Sequence, residues 1–352
     1  MKTLVTLFLI LASQSVQASN PVWERNISAI PLTNEETPSF VDKQYYLEAA
    51  PVGVGAKEAW NLKGGKGELV KIYDVETGMN PKQEDLGSMY LGAVPTNSQH
   101  GTAVLGILRG LENSYGITGI APLAQLGFWG FIEGDLDEVV PEYITGINAG
   151  IRDGVAHLEA GDVLIIEQQM NGPRLHNPIA VEYWDEIFNE LKAATQKGII
   201  CIAAAGNGGE NFDAEIYKGK FDLKVRDSGC IMVGAGSPLD KERLYFSNYG
   251  SRIDAYGYGQ FVTSTGYGDL FNGSQDRQYT RNFSGTSSAT PIVSGAVAVV
   301  SSIAKSQGRV ITPLEMRAAL RATGTPQGKL TSSQRIGTLP HIAELLKFLG
   351  IK

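Results

Sequence analysis

The chain has 352 residues, 43% of them hydrophobic and 19% charged, and a net charge of −7. This is ordinary globular chemistry, which excludes disordered and collagen-like chains and leaves room for one large α/β domain. An acidic balance without a basic stripe excludes a nucleic-acid partner, because nothing would neutralise phosphates.

Lys2, the apolar run Leu4 to Ala12 and the small residues of Val16-Gln17-Ala18 form the pattern of a cleaved signal peptide over residues 1–18. The apolar run is too short to cross a bilayer, and no later stretch approaches eighteen apolar residues, so no membrane partner is expected after cleavage. Loss of Lys2 takes the charge from −7 to −8. The expected location is secreted or periplasmic. Residues 19–44 are polar and carry Pro21, Pro31 and Pro38, which reads as a short pro-segment or N-terminal arm. Residues 45–352 form the remaining domain.

From Tyr45 onward apolar runs alternate with helical stretches, the signature of a mostly parallel sheet covered by helices. Strands are expected at Leu69–Val75, Gln125–Phe131, Val163–Gln168, Ile199–Ala205 and Ile231–Gly236. Helices are expected at His100–Arg109, Val139–Gly150, Ile179–Lys197 and Ser288–Ala304. Thr312, Pro313 and Glu315 give a capping-box start to a last main helix. Cys201 and Cys230 each open a strand-like run. If those strands are neighbours, the two form either one disulfide or two buried thiols. No Cys/His group has metal-ligand spacing, so neither a metal nor a cofactor is expected.

Three segments carry chemistry. In Asn282-Phe283-Ser284-Gly285-Thr286-Ser287-Ser288-Ala289-Thr290-Pro291, Ser287 opens a long apolar helix, where free backbone N–H groups suit a developing oxyanion; Ser is equally a common helix cap. In His100-Gly101-Thr102, a histidine sits at a loop-to-helix junction, where it can serve a serine as base. The other histidines, His157, His176 and His341, read as surface or packing residues. In Ala203-Ala204-Ala205-Gly206-Asn207, a strand ends in a bend that projects Asn207 beyond its carboxyl end, where parallel sheets place ligands. Asn207 is either a turn former or a donor to a tetrahedral intermediate.

Taken together, the three segments resemble the subtilisin family. Gly285 to Pro291 fits the family's Gly-Thr-Ser-x-Ala-x-Pro, His100 to Thr102 its His-Gly-Thr, and Asn207 its asparagine after Ala-Ala-Gly. Phe246-Ser247-Asn248-Tyr249-Gly250 and the helix start at Thr312–Arg317 extend the likeness from about residue 45 to the end. The resemblance implies a doubly wound α/β fold with a parallel sheet of about seven strands. It also implies a serine endopeptidase acting on protein or peptide substrates, with Ser287 as nucleophile, His100 as general base and Asn207 as oxyanion donor.

The acid departs from the family's Asp-Ser/Thr-Gly. Aligning Thr77-Gly78 with that motif puts Glu76 on the acid position, and Asp74 lies two residues back on the same strand face. Both are candidates; the Thr-Gly anchor and the spacing to Asp85-Leu86 favour Glu76. The substrate-binding segment, usually Ser-Leu-Gly-Gly-Pro, is Gln169-Met170-Asn171-Gly172-Pro173, so Met170, Asn171 and Gly172 are the candidate substrate-binding residues. Two rival functions differ in class. An esterase of the α/β-hydrolase type would need its acid and histidine after the serine, leaving only His341, and a strand before it, where Asn272–Asn282 reads as a polar loop. A non-catalytic peptide-binding relative is motivated by the acid substitution and opposed by intact Ser287, His100 and Asn207.

Overall fold

The apolar runs become strands because their β-branched residues are buried on both faces, as a sheet covered by helices requires. A computed structural model describes residues 27–94, 96–131 and 141–352; the signal-like segment 1–18 and residues 19–26 of the arm lie outside these. In chain order the strands are β1 (Lys71–Glu76), β2 (Tyr90–Ala93), β3 (Gln125–Gly130), β4 (Val163–Ile166), β5 (Gln169–Asn171), β6 (Pro178–Ala180) and β7 (Ile200–Ala204). They continue with β8 (Ile231–Gly236), β9 (Ala255–Tyr258), β10 (Val262–Thr265), β11 (Phe271–Asn272), β12 (Gln278–Phe283), β13 (Thr325–Pro326) and β14 (Thr338–Leu339). The helices are α1 (Ala56–Ala59), α2 (Gln99–Arg109), α3 (Pro141–His157), α4 (Asp185–Gln196), α5 (Thr286–Ser306), α6 (Pro313–Ala322) and α7 (Ile342–Phe348).

The main sheet runs β13-β14-β9-β8-β7-β4-β1-β3-β2. Its seven strands from β9 to β2 pair in parallel, and the two short C-terminal strands add an edge beyond them. Helices α3 and α4 pack against each other and on the sheet, while α2 and α5 form a second packed pair. The doubly wound α/β fold is therefore present. From β1 the chain first builds outward through β3 and β2, then crosses to β4 on the other side. The order reverses at β1 and β4, and a doubly wound sheet opens its ligand crevice at the carboxyl ends of such a pair.

Helix α5 is long and apolar enough to span a bilayer by length and composition, contrary to the expectation from the sequence, but it is completely buried inside the protein. Its Gly, Ala and Ser residues let it approach α2 and the sheet closely. The capping box of α6 forms as expected: Thr312 accepts from the Glu315 N–H, and Glu315 reaches back to the Thr312 N–H at 2.9 Å. The helix expected at Ile179–Lys197 starts later, because Pro178–Ala180 is drawn into a hairpin with β5. The one expected at Val139–Gly150 begins its described part at Pro141 and continues to His157.

The described part of the N-terminal arm is tied to the body. Ile30 N–H donates to Gly268 at 3.0 Å, Thr33 N–H to Asn272 at 2.8 Å, and Phe40 N–H to Gly116 at 2.6 Å. Arg277 Nε donates to Thr37 Oγ1 at 3.1 Å, and Phe40 packs beside Phe271 and Tyr279.

The ladder pairs Ile202 with Ile231, which sets Cys201 opposite Cys230 on neighbouring strands. Both are free and buried. Burial pushes both thiols well above their ordinary range, and a suppressed thiolate is unreactive. The native protein is expected to resist maleimide labelling and to take up two labels once denatured. Rapid native labelling, or a covalent dimer dissolved by reducing agent, would contradict this.

Candidate active site

Four strand or helix ends meet at the reversal point. Glu76 is the last residue of β1 and is fully buried. Two residues on, the chain turns through Gly78 and touches the start of α2 backbone to backbone. A Cβ on Gly101 would run into the Gly78 carbonyl oxygen and sit 3.4 Å from the Glu76 side chain. This contact explains why the residue after His100 is glycine. Ser98 caps α2, accepting from the His100 N–H at 3.2 Å, and so fixes where the imidazole leaves the helix.

The result is a contact of 2.9 Å between His100 Nδ1 and Glu76 Oε1. The imidazole remains part-exposed and stands edge-on to the Phe283 ring, 5.6 Å between centroids. Glu76 Oε1 also accepts from Gln168 Nε2 at 3.1 Å, and Oε2 accepts from the Thr77 N–H at 3.0 Å.

Asp74, one strand repeat back, is buried too, but neither of its oxygens has a hydrogen-bond partner among the described residues. The same holds for Glu167 at the end of β4. Burial, then the Glu76 charge, push the Asp74 carboxyl well above the usual carboxylate range. Burial, Asp74 and Glu76 do the same to Glu167. Of the three carboxyl groups gathered here, Glu76 alone has donors among the described residues to stabilise a negative charge.

Beyond β7, Gly206 adopts a positive φ of 91°, which swings Asn207 away from the strand direction. Asn248 braces the bend, donating to the Ala205 carbonyl at 2.7 Å and accepting from the Glu210 N–H at 2.7 Å. Asn207 Oδ1 accepts from the Thr286 N–H at 2.8 Å, locking it to the first turn of α5, where Ser287 follows. With Oδ1 so engaged, Nδ2 is the free face of the amide; it is buried without a partner among the described residues. Pro291 lies inside the helix and lacks the N–H that would bond the Ser287 carbonyl, so that carbonyl has no helical partner.

Contacts join Glu76 to His100 and His100 to Phe283, and separately Asn207 to Thr286 beside Ser287. Met170 and Asn171 lie in the β5–β6 hairpin, paired with Ile179 and Pro178, and both are buried. Gly172 packs on Ile179, which leaves no room for a side chain. His157 packs at a tilt against Tyr90, stacks on Tyr73 and contacts the Asp153 carbonyl, consistent with packing.

The segment before Ser287 is not the loop expected from its polarity: β12 runs through Gln278–Phe283. It belongs to a separate antiparallel sheet with β10 and β11, so it does not supply the central parallel strand of an α/β-hydrolase elbow. Glu167, Gln168, Tyr143 and Gln169, whose Oε1 accepts from the Asn207 N–H at 2.8 Å, were not foreseen. The signal was present: Glu167-Gln168-Gln169 breaks an apolar run at the carboxyl end of a buried strand.

The subtilase family profile matches residues 65–338. An intracellular serine protease of Paenibacillus polymyxa is 27% identical over 337 residues, spanning 90% of this chain and 91% of the relative. Subtilisin E of Bacillus subtilis is 27% identical over 295 residues, spanning 80% of this chain and 68% of the relative. A solved protease structure from Pseudoalteromonas arctica shares the fold with a TM-score of 0.64 at 20% identity, covering 89% of this chain and 100% of that one. A cold-adapted subtilisin-like serine proteinase gives a TM-score of 0.56 at 20% identity, covering 92% of this chain and 98% of that one. With a doubly wound sheet and a family match over most of its length, the chain belongs to the subtilase family of serine peptidases.

Proposed function

We propose that this chain is an exported serine endopeptidase that cleaves peptide bonds through an acyl-enzyme, with Ser287 as nucleophile, His100 as general base and Glu76 as the acid of the triad. The observation that carries the reading is the 2.9 Å contact of Glu76 Oε1 with His100 Nδ1, beside an Asp74 with no donor among the described residues. A carboxylate on Nδ1 holds the tautomer whose Nε2 can accept a proton. His100 takes the proton from Ser287 as its hydroxyl attacks the carbonyl, and Glu76 stabilises the imidazolium. Asn207 Nδ2 and the first-turn N–H of Ser287 receive the oxyanion. His100 then protonates the departing amine, and water completes hydrolysis by the same route. An extended substrate pairs its backbone with the Met170–Gly172 segment.

Treatment with a fluorophosphonate serine probe is expected to label Ser287, and casein digests should contain new internal peptide termini. Labelling elsewhere, or cleavage of short esters but not casein, would overturn the reading. Export rests on the residue 1–18 pattern; the relatives include both intracellular proteases and subtilisins. N-terminal sequencing should find protein outside the cytoplasm that lacks these residues, and uncut protein confined to the cytoplasm would refute export.

Removing the Asn207 donor tests the oxyanion role. Asn207→Ala is expected to fold normally and to lose roughly 10²–10³ in turnover, the size of loss known when subtilisin, of this same family, is deprived of its matching donor. Unchanged turnover at normal stability would remove Asn207 from that role.

A further inference from the structure

Glutamate has one more side-chain torsion than aspartate, so a carboxylate on it needs more restraint to stay in line with an imidazole. Glu76 has that restraint on both oxygens. Thr77 holds Oε2, while Oε1, the atom facing His100, also receives Gln168 Nε2 at 3.1 Å. An amide can present either its nitrogen or its oxygen, and the oxygen would repel a carboxylate. Here the choice is fixed by Tyr143, whose hydroxyl donates to Gln168 Oε1. Tyr143 sits on α3, buried, with its ring edge-on to Phe131 at 5.1 Å between centroids. The order is Tyr143 to Gln168 to Glu76 to His100, and its members come from α3, the end of β4, the end of β1 and the start of α2.

We propose that Gln168, oriented by Tyr143, is a positioning residue that holds the Glu76 carboxylate against His100. This rests on the reading of Glu76 as the triad acid. Besides His100, Gln168 is the side chain that bonds Oε1 among the described residues. Asp74 from β1 and Glu167 beyond β4 lie near it, but no oxygen of either makes a hydrogen bond among the described residues. Thr77 serves the other oxygen. A hydrogen bond to a charged group is the strongest kind available in such a site, and removing one donor leaves the carboxylate to swing.

The test uses the full-length protein and a peptide found cleaved in its casein digest. Gln168→Met keeps volume and chain length but loses the donor. It is expected to lower kcat by about 10–100-fold with KM nearly unchanged. The acid limb of kcat/KM should move to lower pH by about one unit, because a carboxylate that swings off Nδ1 stabilises the imidazolium less. Tyr143→Phe leaves the amide free to turn and should move both quantities in the same direction by less. The double variant should be no worse than Gln168→Met alone, since the tyrosine acts only through the amide. Losses that multiply, or a folded Gln168→Met with normal kcat and an unmoved acid limb, would overturn the proposal. If Gln168→Met does not fold, an unmoved kcat and acid limb in Tyr143→Phe overturns it instead. Glu76→Gln measured alongside separates the two levels: an active Glu76→Gln refutes the triad reading itself, whereas an inactive one beside a normal Gln168→Met refutes only the positioning role.

Discussion

Exchanging Glu76 for glutamine is expected to lower turnover by about 10⁴, the loss typical when the acid of such a triad becomes an amide. The exchange preserves shape but not charge. Facing His100 Nδ1, an amide nitrogen would force the imidazole into the tautomer that cannot take a proton from serine, and no anion would remain to stabilise the imidazolium. Asp74→Asn is the contrasting case. Burial raises its pKa and no donor meets it among the described residues, so an amide of nearly the same shape should change turnover by only about two- to threefold. The sign of the pH effect follows. A folded-state value above the unfolded one means that the native protein binds more protons, so this group's stabilising contribution is lost as pH rises from the ordinary aspartate range to the raised value. Asp74→Asn should flatten that fall. The measurements are kcat on a digest-derived peptide and thermal unfolding across pH for both variants. A well-folded Glu76→Gln that keeps its activity, beside an inactive Asp74→Asn, would make Asp74 the acid.

A larger loss is expected for Ser287→Ala, on the order of 10⁶ in kcat, a figure that belongs to subtilisin within this family. The substitution removes one oxygen from the first turn of α5, in a helix that the Asn207–Thr286 bond and complete burial hold in place. Folding should therefore be untouched, and the variant should still bind peptides and hold the oxyanion donors in position. A residue of catalysis above the uncatalysed rate, about 10³–10⁴, should remain from those donors and from binding. Because the serine and histidine act as a unit, His100→Ala should cost about as much, and the double variant little more. Probe labelling that survives in Ser287→Ala, or a kcat within about tenfold of wild type, would place the nucleophile elsewhere.

Much of this was legible in the chain because the informative residues act through short-range rules. Thr312 and Glu315 predict their own cap, and the alternation of apolar runs with helical stretches gives the parallel sheet. The Thr77-Gly78 spacing singled out Glu76, the carboxyl that contacts His100. What escaped was set by partners far along the chain. Gln168 meets Glu76 across 92 positions, and nothing local to an isolated glutamine announces that contact. Polar β12 became a strand because β10 and β11 supply its hydrogen bonds, not because its own residues favour one. Met170 and Asn171 read as groove residues by their place in a motif, and their burial depends on Ile179 and Pro178, their pairing partners further along the chain.

The bonds between the arm and the body bear on how the polypeptide can be trimmed. Ile30, Thr33 and Thr37 are held by Gly268, Asn272 and Arg277, residues of the ribbon whose last strand, β12, leads through Ser284 and Gly285 to Ser287. Shortening the chain to residue 45 would strip hydrogen-bond partners from that ribbon and uncover the Phe40 contacts with Phe271 and Tyr279. A recombinant version that keeps the approach to Ser287 supported therefore has to begin upstream of Ile30, even though the family match begins only at residue 65.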